Sequence, residues 1–226
     1  MNNRSSISLR GTVLLTAWVL LGIALAGSAR ADTNHEFWPE LDIWARLTDS
    51  LRLLFITSGT RDRNGDRTAD EGEAFLDYRM SDRISFRAGF DYQKNLPAGT
   101  STSDSIEHRY VFDFNYRWRI GEAGRLTDRS RLDIRDIEDD TSYRIRNRLL
   151  YEQDIKVSRT TITPYASLEA YYDSRSSTVS RYRVESGTVV PFGRRFEGDF
   201  YLGWQRDTHP GTERVVGLGF TLTARF

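Results

Sequence analysis

From Glu213 to Phe226 the chain alternates with period two. Val216, Leu218, Phe220, Leu222, Ala224 and Phe226 fall on one face, with Val215, Gly217, Gly219, Thr221, Thr223 and Arg225 on the other. A large apolar stripe backed by small or polar residues suits a strand with hydrocarbon on one side and a wet interior on the other. The split is sharper from Glu107 to Ile120, where Tyr110, Phe112, Phe114, Tyr116 and Trp118 alternate with Arg109, Val111, Asp113, Asn115, Arg117 and Arg119. It recurs in Arg83 to Tyr92 and in Thr161 to Asp173, and helical spacing fits none of these segments. Weaker versions run through Phe37 to Leu47, Leu51 to Ser58, Glu73 to Met80, Arg125 to Arg135, Tyr143 to Ile155, Val179 to Val190 and Arg195 to Arg206.

The segments number eleven. Tight connections (Thr48 to Ser50, Ser81-Asp82, Gly121 to Gly124, Pro191 to Gly193) alternate with longer polar ones (Gly59 to Gly72, Lys94 to Ile106, Asp136 to Ser142, Ser174 to Thr178, Asp207 to Thr212). That asymmetry predicts an all-β fold: a closed antiparallel transmembrane β-barrel of 10 to 12 strands with short periplasmic turns and longer external loops. Bacterial barrels normally have even counts. The expectation is therefore ten strands, if Pro39 spoils the first, or twelve, if one has escaped notice. Two of the tight turns share a pattern, Arg46-Leu47-Thr48-Asp49-Ser50-Leu51 and Arg79-Met80-Ser81-Asp82-Arg83-Ile84, in which hydroxyl and Asp side chains favour a tight turn by bonding nearby backbone.

An arginine on the lipid face near the bilayer middle costs about 2–4 kcal/mol, so the charged face must line the lumen and the aromatic face must meet lipid. Tyr92, Tyr116, Trp118, Tyr143, Tyr151, Tyr172 and Trp204 near strand ends then form interfacial girdles. A soluble ligand-carrying barrel would need the reverse arrangement.

Composition adds a location. Residues 1–31 read as a signal peptide: Arg4 and Arg10, an apolar run from Gly11 to Gly27, and the small-x-small site Ala29-Arg30-Ala31. The run is shorter than the roughly 20 residues of a spanning helix. Residues 32–226 form one barrel domain, expected in a bacterial outer membrane after export. Removing Arg4, Arg10 and Arg30 leaves 29 basic against 32 acidic residues, which gives no basic field for nucleic acid. The chain has no cysteine. Its expected partners are outer-membrane lipid, the barrel-assembly machinery through the terminal strand ending in Phe226, and small anionic solutes.

The most pointed chemistry is an arginine array. Arg129, Arg131 and Arg135 share one face of their strand, and Arg144, Arg146 and Arg148 share one face of the next, so a hairpin through Glu138 to Thr141 puts all six on one lumen wall. Planar guanidinium groups bind carboxylate and phosphate in pairs, which suggests passage or binding of small anions. The alternative is a closed structural or surface-binding barrel. The inward acids, among them Asp113, Asp133 and Glu169, are numerous enough to pair with every one of these arginines and fill a narrow lumen.

Two further patterns carry chemistry. Asp62, Asn64, Asp66, Asp70 and Glu73 have the oxygen spacing of a calcium loop, although Arg67 stands where the sharp turn wants glycine. No other cofactor is expected. His108 with Ser103 and Ser105 could mimic an outer-leaflet lipid hydrolase, but the alternation points His108 toward lipid, and the expectation is that the protein is not an enzyme.

The stretch Arg144 to Glu152, with Ile162-Thr163-Pro164-Tyr165, Tyr182-Arg183-Val184, Tyr201 to Trp204 and Phe37-Trp38-Pro39-Glu40, resembles an exported family of unknown function, DUF2490-like, expected to form outer-membrane barrels. The resemblance implies a barrel and brings no catalytic residues. A fainter similarity, in architecture and arginine lining alone, is to small acidic-oligosaccharide porins. Whatever space the lumen holds is expected beside the small face of Gly217, Gly219, Thr221 and Thr223.

Overall fold

The computed structural model describes residues 33–96, 104–137, 140–208 and 213–226; residues 1–31, where a signal peptide is expected, and Ser103 lie outside them. The described residues form twelve strands: β1 (Thr33–Arg46), β2 (Leu51–Asp62), β3 (Arg67–Arg79), β4 (Ile84–Asn95), β5 (Ser105–Ile120), β6 (Gly124–Ile137), β7 (Asp140–Gln153), β8 (Ile155–Val157), β9 (Thr160–Asp173), β10 (Thr178–Pro191), β11 (Phe196–Asp207) and β12 (Glu213–Arg225). Alternation found every one of them except the three-residue β8, which pairs with β9 alone and continues β7 past a break at Asp154.

The other eleven close into a ring in chain order, with β9 following β7 and β12 returning to β1. Eleven lies within the expected 10 to 12, but the count is odd, where parity favours ten or twelve. Evenness presumes that both chain ends lie at one rim, which alternation within a strand cannot test. Here β1 and β12 run parallel in register from Thr33 opposite Arg214 to Trp44 opposite Arg225, while every other pair in the ring is antiparallel. An odd ring of up-and-down strands can close in no other way, because its first and last strands point in the same direction. Thr33 therefore starts at the rim of the 63–66 connection, with Asn95 and Ser105, and Phe226 ends at the opposite rim with the 47–50, 80–83 and 192–195 turns.

Pro39 does not spoil β1. It has no N–H to give, and the β1–β2 pairing skips Trp38 and Pro39, whereas the β1–β12 pairing runs through both. The shared turn pattern works through its hydroxyl: Thr48 Oγ1 accepts from the Leu51 amide at 3.0 Å, and Ser81 Oγ from the Ile84 amide at 3.1 Å. At the other rim the strands run on through segments whose polarity reads as loop. Gly59–Asp62 and Arg67–Gly72 are paired strand, and the connection between them is residues 63–66.

Polarity is inverted relative to a water-soluble core. Among the described residues, thirty large hydrophobic side chains are exposed while seven hydrophobic residues are buried, and sixteen polar or charged residues are buried. The inward set is not uniformly charged, however. Leu54, Phe75 and Val111 are 1, 2 and 0% exposed and form an apolar core inside the ring, with Trp44 and Ile56 packed on it.

The small face of β12 does not border free space. A Cβ added at Gly203 or Gly217 would run into the indole of Trp38, and one at Gly219 into the ring of Tyr201. Glycine leaves a gap in its own strand, and a neighbouring ring lies over it. Tyr201 comes from the adjacent β11, but Trp38 comes from β1, which meets β12 only when the barrel closes, so the local sequence gives no sign of that filling.

Candidate functional site in the barrel interior

The β6–β7 register sets Arg129 opposite Arg148, Arg131 opposite Arg146, Asp133 opposite Arg144 and Arg135 opposite Ser142, so the six arginines do share one inner wall. Five of them are held by carboxylates. Arg131 grips Asp113 with two donors at 2.7 and 3.1 Å and lies 3.7 Å from Glu73. Arg135 bonds Glu107 and reaches Asp173 at 2.5 Å. Arg144 donates to Asp133 at 2.9 Å. Arg129 and Arg146 both donate to the same oxygen of Glu169, at 2.8 and 3.0 Å, while Tyr171 donates to its other oxygen at 2.9 Å. Arg146 also lies over the Tyr171 ring, 4.6 Å from its centre.

Arg148 differs from the other five. It makes no hydrogen bond or ion pair with any described residue, and its Nε is buried without an acceptor. Glu169 stands opposite it across β7 and β9, but that carboxylate is already taken by Arg129, Arg146 and Tyr171.

A second hub escaped the sequence reading. Arg109 donates to Glu107 at 2.6 Å and to Glu71 and Asp91 at 2.7 Å each, and it also bonds Gln93. Its inward parity was visible on β5. What sequence could not supply was the register that sets Asp91 of β4 directly across from it. Charge-assisted bonds of this kind are shorter and about twice as strong as neutral ones. Removing one partner from such a network leaves an uncompensated buried charge.

The calcium spacing does not gather into a site. Asp62 accepts from the backbone of Asn64 and Asp66 at 2.8 and 3.0 Å, which makes it the cap of its own turn. Asp70 pairs with Arg67, and Glu73 points into the lumen toward Arg131. Among the described residues no group of three or more His, Cys, Asp or Glu side chains could hold a metal. His108 lies exposed on the outer face, between Phe90 at 5.7 Å and Tyr92 at 5.4 Å. Ser105 has the opposite parity on β5 and bonds Asn95 at 3.1 Å, so Ser105 and His108 are not brought together.

A family model described as "Protein of unknown function (DUF2490)" matches residues 17–216. No curated protein matches the chain. Among solved structures, the siderophore receptor PirA from Pseudomonas aeruginosa is similar over 76% of this chain and 34% of that one, at 14% identity and a TM-score of 0.30. The chain spans about a third of that receptor's length, and so loose a likeness carries no conclusion about function.

Proposed function

The chain belongs to the DUF2490 family of proteins of unknown function, and for it we propose an outer-membrane barrel whose interior is a packed, ion-paired core rather than an anion-conducting path. The observation that carries this reading is that five of the six lumen arginines are committed to carboxylates beside an apolar core of Leu54, Phe75 and Val111. Guanidinium groups already satisfied by fixed acids offer little to a passing anion. Such a barrel acts through its rims and connections, as a structural or surface-binding element of the envelope. Phe226, at the turn rim with its amide bonded to Trp44 at 2.8 Å, is read as the mark the barrel-assembly machinery recognises.

Membrane placement rests on the outer face. Leu132, near the middle of β6, is exposed between Phe112 and Ile145 on the neighbouring strands. Leu132→Arg should lower stability in bilayers by about 2–4 kcal/mol if that face meets lipid. On a water-facing surface the same change stays within about 0.5 kcal/mol. Urea titration of the refolded protein in vesicles reads the difference, and an unmoved midpoint would refute the lipid-facing assignment.

The odd ring makes a second prediction. In intact cells, a membrane-impermeant thiol reagent should label Asn34→Cys together with Arg63→Cys, and should reach Asp82→Cys only after the outer membrane is permeabilised. The chain has no cysteine of its own, so each label is unambiguous. If Asn34→Cys sides with Asp82→Cys, the parallel seam is wrong.

A further inference from the structure

We infer that Arg129 and Arg148 form a binding site for one small oxyanion on the lumen wall. The two stand directly opposite each other across β6 and β7. Like charges facing across a strand pair repel. Three guanidinium groups, those of Arg129, Arg146 and Arg148, surround one carboxylate, Glu169, and both of its oxygens are already occupied. Arg129 is 9% exposed, and its Nε has no acceptor. The buried Nε of Arg148 has none either. The other acids of this wall are engaged, Asp113 by Arg131 and Asp133 by Arg144. Asp199 of β11 accepts from Tyr165 at 2.7 Å through one oxygen and attracts Arg148 from beyond ion-pair distance, its other oxygen being without a hydrogen bond.

The donors left free here are planar guanidinium edges. Such edges match the oxygens of a carboxylate or phosphate group in pairs and match a spherical halide poorly. Arg148 is partly exposed, as are Arg183, Glu185 and Gly187 of β10. The site concerns a resting ligand rather than transit. It depends on the charge arrangement of the interior and not on where the barrel resides.

The test is phosphorus NMR of inorganic phosphate added to the refolded full chain in detergent micelles at constant ionic strength. The signal should broaden saturably, acetate in excess should reverse the broadening, and chloride should not. Arg148→Gln should weaken binding by about ten-fold or more, whereas Arg63→Gln on the exposed 63–66 connection should leave it unchanged. Because Arg148 has no ion pair, Arg148→Gln should also fold and, in chloride alone, be as stable as the native chain or more so. Arg148→Lys keeps the charge without the fork and should bind phosphate more weakly than the native chain. No broadening in the native chain, equal broadening in Arg148→Gln, or displacement by chloride as effective as by acetate would each overturn the site. None of these outcomes bears on whether the barrel conducts, so failure here and failure of the packed-core reading are separable.

Discussion

Replacing Glu169 with glutamine should destabilise the folded barrel by about 3–5 kcal/mol, the usual cost of removing one partner from a buried ion-paired group. Glu169 is the acceptor for Arg129, Arg146 and Tyr171 at once, so its loss leaves two guanidinium groups without their nearest anion. Arg148 adds to the strain, because it stands across from both Glu169 and Arg129. Removing that third cation in the same chain, as Glu169→Gln with Arg148→Gln, should recover part of the loss. Coupling of this kind is expected of residues sharing one network and not of distant sites. Urea unfolding in detergent measures all three chains. A midpoint for Glu169→Gln indistinguishable from the native one would mean that the lumen charges are solvated rather than paired.

Phe75→Ala should cost a comparable amount, about 3–5 kcal/mol, as expected for truncating a large buried aromatic. Phe75 faces the inside of the ring, yet it is 2% exposed and packs with Leu54 and Val111. Its strand neighbour Gly89 leaves it room, since a Cβ there would strike the Phe75 ring. The guanidinium groups of Arg87 and Arg131 lie over the ring at 5.4 and 5.6 Å, adding cation–π attraction in a desolvated setting. A hollow lumen would leave Phe75 against water, and its truncation would then cost little. Phe75→Leu should fall between the native chain and Phe75→Ala in urea midpoint, because most of the volume is kept.

Both predictions turn on contacts between strands, and this is where the sequence stopped being informative. Period-two alternation is local, so it found β1 through β7 and β9 through β12 and put every candidate arginine on the inner face. Pairing is not local. Whether Arg146 meets Glu169 or Asp113 depends on register, which the turns and the closure of the ring set together. Closure also decided the parity: nothing within β1 or β12 says that they will lie side by side in parallel. The filling of the glycine face by Trp38 followed from that same seam.

Other patterns were hard to read for a different reason. Asp62 to Glu73 has the oxygen spacing of a calcium loop, but alternation along β3 turns Glu73 to the lumen face, away from Asp70, while Asp62 is engaged by the backbone of its own turn. Asp62 serves its turn and Glu73 serves the lumen. The apolar core was obscured because its members lie on three different strands, with Phe75 and Val111 each standing between charged inward neighbours. They form a cluster only after β2, β3 and β5 are wrapped around one interior.

Electrical recording of the refolded barrel in a planar bilayer at neutral pH tests the packed, ion-paired lumen most directly. The account predicts insertion without unitary current steps. Reproducible steps with anion selectivity, reduced by Arg131→Ala or Arg146→Ala, would contradict it.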